Sequence, residues 1–225
     1  MQKNWRSTNC SPAGAEIRCD LDIGLIEQRV REILSSVPEY VWDGETLPVP
    51  VEEIVDSVYG LLVRDVEDIS SAPGAPSGSD GNLSGLLYTD SGEIWVNAEE
   101  ARKWPGRRRF TISHELGHWV MHRSGREAVF CRAAVIDPES ADQDTGEVAA
   151  ESPLPAHAIP LVETEADVFA AEMLMPPQMV IAHYEECDGD LGQLQDLFLT
   201  SHKATKRRVR DLVPKDRWRS SLLED

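Results

Sequence analysis

The sequence predicts an α+β fold, with a small antiparallel sheet packed on helices, and three observations carry that expectation. Apolar residues recur at helical spacing in several separate segments, whereas one segment alternates apolar and polar residues around a Gly-containing turn. The chain has 225 residues, of which 41% are hydrophobic, enough for one sizeable core. The reading is therefore of a single domain over 25–215, with tails at 1–24 and 216–225.

The punctuation supports each element in turn. Residues 1–20 have the composition of a tail, and LIEQRVREILSSV (25–37) reads as an amphipathic helix stopped by Pro38. In LPVPVEEIVDSVYG, Pro50 suits a first helical turn, Val51, Ile54, Val55 and Val58 make one apolar stripe, and Gly60 ends the helix. LLVRDV (61–66) is a short strand, 70–82 is a loop by composition, and GLLYTDSGEIWVN (85–97) is a hairpin turning at Asp90-Ser91-Gly92. A helix is expected from about Arg107 to His122, and ETEADVFAAEML (163–174) is helical until Met175-Pro176-Pro177. The closing segment LGQLQDLFLTSHKATKRRVRDLV holds two short helices. Between the two longer helices, residues 137–160 form an acidic insert with few apolar side chains, expected to be disordered.

Charge and cysteine usage narrow the function. A formal charge of -18 lacks the basic footprint that gripping a phosphate backbone requires, so no direct nucleic-acid binding is expected. The charge is uneven: no Lys or Arg occurs from Ala133 to His202, and the basic run 202–219 reads as a solvated helix face. Four cysteines without a C-x-x-C pair argue for free thiols in a reducing compartment. With neither a signal-peptide core nor an eighteen-residue apolar run, a soluble cytoplasmic protein without membrane association is expected.

The stretch RFTISHELGHWVMH (109–122) carries the chemistry. Residues four apart on a helix share a face with Cβ atoms about 6 Å apart, so His114 and His118 can turn ring nitrogens toward one ion. Glu115 lies one step round the helix, placed to reach a water on that ion. Gly117 weakens the helix by roughly 1 kcal/mol, which is explained if another element approaches closely there.

Two imidazoles do not hold a catalytic zinc; a third protein ligand is needed. Met121 and Ser124 stand where an H-E-x-x-H-x-x-G-x-x-H pattern would have its glycine and third histidine, so that solution is excluded. His122 sits another turn along and reads as a packing or supporting residue. A carboxylate on a second helix fits better: Glu163 opens the 163–174 helix, and Asp167, four residues on, can accept the spare N–H of a ligating histidine. Glu165 points elsewhere on that helix and Glu172 lies more than two turns further, both read as solvated charges.

RRRFTISHELGHWVMH and ETEADVFAAEMLMP together resemble the two signature helices of the ImmA/IrrE metallo-endopeptidases, a gluzincin-like group. The resemblance extends more weakly over 45–212, including IWVN and the spacing of Ser201, Ala204 and Arg208. It implies a zincin-like arrangement in which the H-E-x-x-H helix faces a second helix bearing the third ligand. It also implies one zinc ion per chain on His114, His118 and Glu163, Glu115 as general base, and Asp167 in the Asn/Asp position. The implied activity is site-specific cleavage of a helix-turn-helix, phage-repressor-type repressor in a stress, mobile-element or toxin-antitoxin context. Zincin clefts hold substrate along an edge strand, and the 85–97 hairpin is the expected edge.

Two alternatives stay open. A zinc hydrolase of a small amide would share every metal residue; a binding module with a structural metal requires a fourth ligand, for which Cys131 is the one weak option. For an oxyanion donor the sequence offers His157, His183, Tyr184 and Tyr88 without choosing among them.

Overall fold

The computed structural model describes residues 21–73, 75, 83–123, 128–132, 161–219 and 222. The expected tail at 1–20, the acidic insert 137–160 and His157 lie outside the described residues. Among those described, no helix is long and apolar enough to cross a membrane.

Helix α1 (Ile23–Ser36) begins where the Asp22 carboxylate accepts a hydrogen bond from the Leu25 amide, and it buries Ile26, Val30 and Ile33. Helix α2 (Val51–Tyr59) carries Glu52 and Glu53 in its first turn and ends at Gly60, which takes the left-handed conformation (φ 64°) open to glycine. Val51, Ile54 and Val55 of its predicted stripe are buried, whereas Val58 is exposed.

Strands β1 (Leu62–Val66), β2 (Leu83–Tyr88), β3 (Glu93–Asn97) and β4 (Ala128–Arg132) form one sheet in the order β1-β3-β2-β4. The β2–β3 hairpin is antiparallel, with Gly92 (φ 66°) closing its turn, and β4 pairs antiparallel with β2. β1 and β3, however, are parallel. The sheet is therefore mixed instead of antiparallel throughout, because the chain leaving β1 crosses to the third position before the hairpin brings β3 back beside it. A second expectation also fails. The hairpin is not an edge: both its strands are paired on both sides, and β1 and β4 are the outer strands. No local pattern foretold β4, whose pairing with β2 spans some forty residues.

Asn97 caps helix α3 (Ala98–Lys103), its side-chain oxygen accepting from the amides of Glu99 and Glu100. Helix α4 (Pro105–Met121) follows after one residue, Trp104, held out of helical conformation at φ -137° and ψ 84°; a residue preceding proline disfavours the helical region. α3 was not foreseen and α4 starts two residues before the expected point. Helix α5 (Leu161–Leu174) runs to the predicted proline stop, and Pro177 then opens helix α6 (Pro177–Glu186), also unforeseen. Helices α7 (Leu191–Phe198) and α8 (His202–Leu212) match the two short helices expected, capped by Asp190 and Ser201.

α4 is the central element, packed on the sheet and on α5. The main core joins Val55, Leu87, Ile94, Ile112, Leu116, Phe169 and Met173. A smaller apolar group, Ile69, Ala72, Leu83 and Leu86, is partly covered by Tyr88 and Trp95, whose rings meet edge to face at 4.9 Å. The carboxylate of Glu172, expected to be solvated, is buried and pairs with Arg208 at 2.6 Å, and Arg208 Nε also donates to the Met175 carbonyl. This ties the end of α5 to α8, a long-range pairing that helical periodicity could not reveal.

Candidate metal centre

Eight consecutive residues of α4, Thr111–His118, are buried, an unusual run for a helix flanked by charged residues. Two glycines make it possible. A Cβ added at Gly85 of β2 would stand 2.3 Å from Thr111 Cγ2 and 3.0 Å from Glu115 Oε1, so only glycine lets the helix lie this close to the strand. A Cβ at Gly117 would stand 3.1–3.2 Å from three atoms of Phe169, so the glycine also admits α5 at close range. The propensity lost at Gly117 is thus exchanged for the approach of the second helix, as the sequence suggested.

The approach brings three predicted residues together. His114 Nε2 lies 3.0 Å from His118 Nε2 and 3.2 Å from Glu163 Oε2, and His118 Nε2 lies 3.4 Å from Glu163 Oε1. His114 and His118 have almost no exposed surface, while Glu163 keeps 23% of its side chain accessible. On the other side of His114, Nδ1 is 2.8 Å from Asp167 Oδ1. A carboxylate accepts, so Nδ1 carries a proton, and when that ring is neutral its Nε2 presents a lone pair. That lone pair faces a carboxylate and a second imidazole, an arrangement that repels itself unless a metal ion, or in its place a ring proton, stands between. Ligand atoms around a tetrahedral ion bound at about 2.0–2.1 Å are separated by roughly 3.3 Å, close to the three distances found here. The donor set therefore fits a metal ion, and it is the group among the described residues that could hold one.

Burial raises the Glu163 carboxyl, but hydrogen bonds from His114 and His118 outweigh it and hold the group down to about 2. Burial pushes His118 below its ordinary value, keeping its ring neutral and available as a ligand. Glu115 behaves oppositely. It is fully buried, neither carboxylate oxygen has a hydrogen-bond partner among the described residues, and desolvation lifts its pKa to about 8. The charges of His114 and Glu163 both act on it, with opposite signs, so it stands near the cluster without joining it.

Residues set aside on sequence grounds turn out differently. Glu165 is not a solvated charge: its Oε2 lies 2.8 Å from His122 Nε2, and His122 Nδ1 lies 3.2 Å from His118 Nδ1. The spacing of 114, 118 and 122 was the available signal for His122, and nothing local marked its partner. His183 bonds Glu186 on its own helix, Tyr184 accepts from the Arg219 amide, and Tyr88 donates to the Pro73 carbonyl, so each has a structural engagement. A cavity bordered by Ile181, Tyr184, Leu212 and Arg217 shares no residue with the cluster.

A family model described as Peptidase_M78, IrrE N-terminal-like domain, matches residues 76–210, more than half of the chain. The chain belongs to this family. Among solved structures, a Mycobacterium tuberculosis transcriptional regulator is similar at 16% identity with a TM-score of 0.49; the match covers 87% of this chain and 48% of that one. The chain thus spans about half the length of that protein. No curated protein matches it.

Proposed function

We propose that this member of the IrrE N-terminal-like family is a zinc-dependent endopeptidase that cuts a DNA-binding repressor of the helix-turn-helix type. His114, His118 and Glu163 are the metal ligands, Asp167 orients His114, and Glu115 is the general base. The single observation that carries the reading is the pairing of a three-residue cluster with a buried carboxylate, Glu115, that no group among the described residues satisfies. Three protein ligands leave a coordination position for water or substrate, the pattern of catalytic zinc sites.

When bound, zinc supplies a Lewis acid that polarises the scissile carbonyl and makes water easier to deprotonate. Glu115 takes the proton from the attacking water at its carboxylate, which burial makes a stronger base. The same carboxyl then delivers the proton to the leaving amine nitrogen. Water is added across the amide, giving a new carboxylate and a new amino terminus. Asp167 holds His114 in one tautomer throughout.

A repressor substrate follows from charge together with family. A chain of net charge -18 is steered toward a cationic partner, and a DNA-binding surface is cationic. The stress, mobile-element or toxin-antitoxin setting rests on family resemblance alone. The strand β4, paired with β2 beside α4, is outermost among the described strands, and an extended linker could lie along its far edge.

The decisive experiment incubates purified protein and zinc with the repressor encoded next to it. One discrete cut between its DNA-binding and oligomerisation parts, blocked by a chelator and slowed by raised salt, is expected. An intact repressor together with ready hydrolysis of small amides would favour the small-amide reading.

A further inference from the structure

Each histidine of the cluster has two ring nitrogens, and a ligand is defined as much by the nitrogen that stays protonated as by the one that binds. For His114 the choice is made by Asp167. Among the described residues, no carboxylate meets His118 on that side. Its Nδ1 instead faces His122 Nδ1 at 3.2 Å, and His122 Nε2 faces Glu165 Oε2 at 2.8 Å.

For neutral rings, one arrangement of protons satisfies both contacts. The Glu165 carboxylate only accepts, so His122 donates from Nε2. His122 Nδ1 is then bare and accepts, and the donor can only be His118 Nδ1–H. The remaining nitrogen of His118, Nε2, is therefore a lone pair, and it is the atom that stands 3.0 Å from His114 Nε2 and 3.4 Å from Glu163 Oε1. Glu165 sets the proton position on two successive rings, the second of which is the ligand. The chain lies on the buried side of the helix pair: side-chain exposure is 0% at His118, 11% at His122 and 25% at Glu165, so water competes weakly for these bonds. Both helices contribute, since His118 and His122 are one turn apart on α4 while Glu165 comes from α5.

We infer that His122 and Glu165 are positioning residues that hold His118 in the tautomer and orientation required for metal binding. The inference rests on the metal-site reading above and extends it to a second support, the counterpart on His118 of Asp167 on His114. It also accounts for two side chains that the proposed chemistry leaves without a role.

The test uses the full chain and Zn2+ alone, titrated in competition with a fluorescent chelator. His122→Phe keeps a ring of similar size but cannot accept from His118, and its zinc affinity should fall about 10- to 100-fold, as loss of a ligand's outer partner does. His122→Gln offers an amide oxygen as acceptor and should recover part of that loss. Glu165→Ala combined with His122→Phe should weaken zinc no further than His122→Phe alone, since both interrupt one path. Unchanged affinity in His122→Phe, no recovery in His122→Gln, or full additivity in the double variant would overturn the inference. A second readout is spectroscopic. Ring 15N shifts of the zinc-loaded parent should report His118 protonated at Nδ1 and bound through Nε2; a His118 bound through Nδ1 would overturn the relay. A parent that bound no zinc would overturn the metal reading and the relay with it, whereas a zinc-binding parent with unchanged affinity in His122→Phe would overturn the relay alone.

Discussion

His114 Nδ1 lies 2.8 Å from Asp167 Oδ1, while the same ring's Nε2 lies 3.2 Å from Glu163 Oε2. Two carboxylates one turn apart on α5 thus address the two nitrogens of one histidine on α4. One is placed to accept the ring N–H and the other, on the reading proposed above, to share an ion. The first expectation follows from this division of labour.

His114→Ala, His118→Ala and Glu163→Ala should each lose stoichiometric zinc, measured by metal analysis after dialysis, and all proteolysis with it. Asp167→Ala should keep the metal with an affinity about 10- to 100-fold lower. A Glu163→Ala protein with full zinc and activity would show that the third ligand has been misassigned.

Glu115→Gln preserves side-chain size but cannot take a proton. Zinc content should match the parent, and turnover on the cleaved repressor should fall by at least about 100-fold. Loss of zinc in this variant would instead make Glu115 a ligand.

The same substitution predicts a pH effect on metal-free protein. Burial raises Glu115 to about 8, so its neutral form favours the folded state; that contribution is complete below the ordinary carboxyl range and is lost as pH rises through about 8. His118, shifted down by burial, acts in the opposite sense near its ordinary value, and Glu163, held at about 2, acts only at lower pH. Comparing parent with Glu115→Gln isolates the Glu115 part. Between pH 5 and 8 the parent should lose stability relative to the variant by a few kcal/mol, at about 1.4 kcal/mol per pH unit where the group titrates in one state only. Parallel denaturation curves at all pH values would refute a strained Glu115.

Gly85→Ala places a methyl group 2.3 Å from Thr111 Cγ2, between strand β2 and the buried face of α4. The variant should be less stable by about 1–3 kcal/mol in urea titrations, the range of overpacked cores. Its zinc affinity should also decline if the displacement reaches α4. A stability equal to the parent's would mean that the strand yields freely.

Glu172→Ala leaves the Arg208 guanidinium buried without its carboxylate partner. Thermal unfolding should report a loss of about 3–5 kcal/mol, the range found when one member of a buried pair is removed. A change below about 1 kcal/mol would imply that water replaces the carboxylate.

How much of this was legible beforehand depends on the distance over which each feature is encoded. His114 and His118 are four apart on one helix and Glu163 and Asp167 four apart on another, so i, i+4 geometry placed each pair on one face from spacing alone, with Glu115 one step round from His114. The helix ends at Gly60 and Pro176, and the hairpin turn at Gly92, were equally readable, because backbone conformation at those residues is set locally. What the sequence could not state was which faces meet. The parallel pairing of β1 with β3 and the addition of β4 outside β2 arise from contacts between segments far apart in the chain, and they moved the predicted edge hairpin to the middle of the sheet. Glu165 and Glu172 looked like solvated charges since helical periodicity reports position around a helix and not the partner opposite; His122 and Arg208 come from other helices. The sequence by itself determined the residue types of the candidate cluster and their spacing along each helix. Only the tertiary structure decided the contact of Glu165 with His122, the burial of Glu115 and the closeness of α4 to α5, because the meeting of these elements depends on two glycines admitting neighbours that no local rule brings to them.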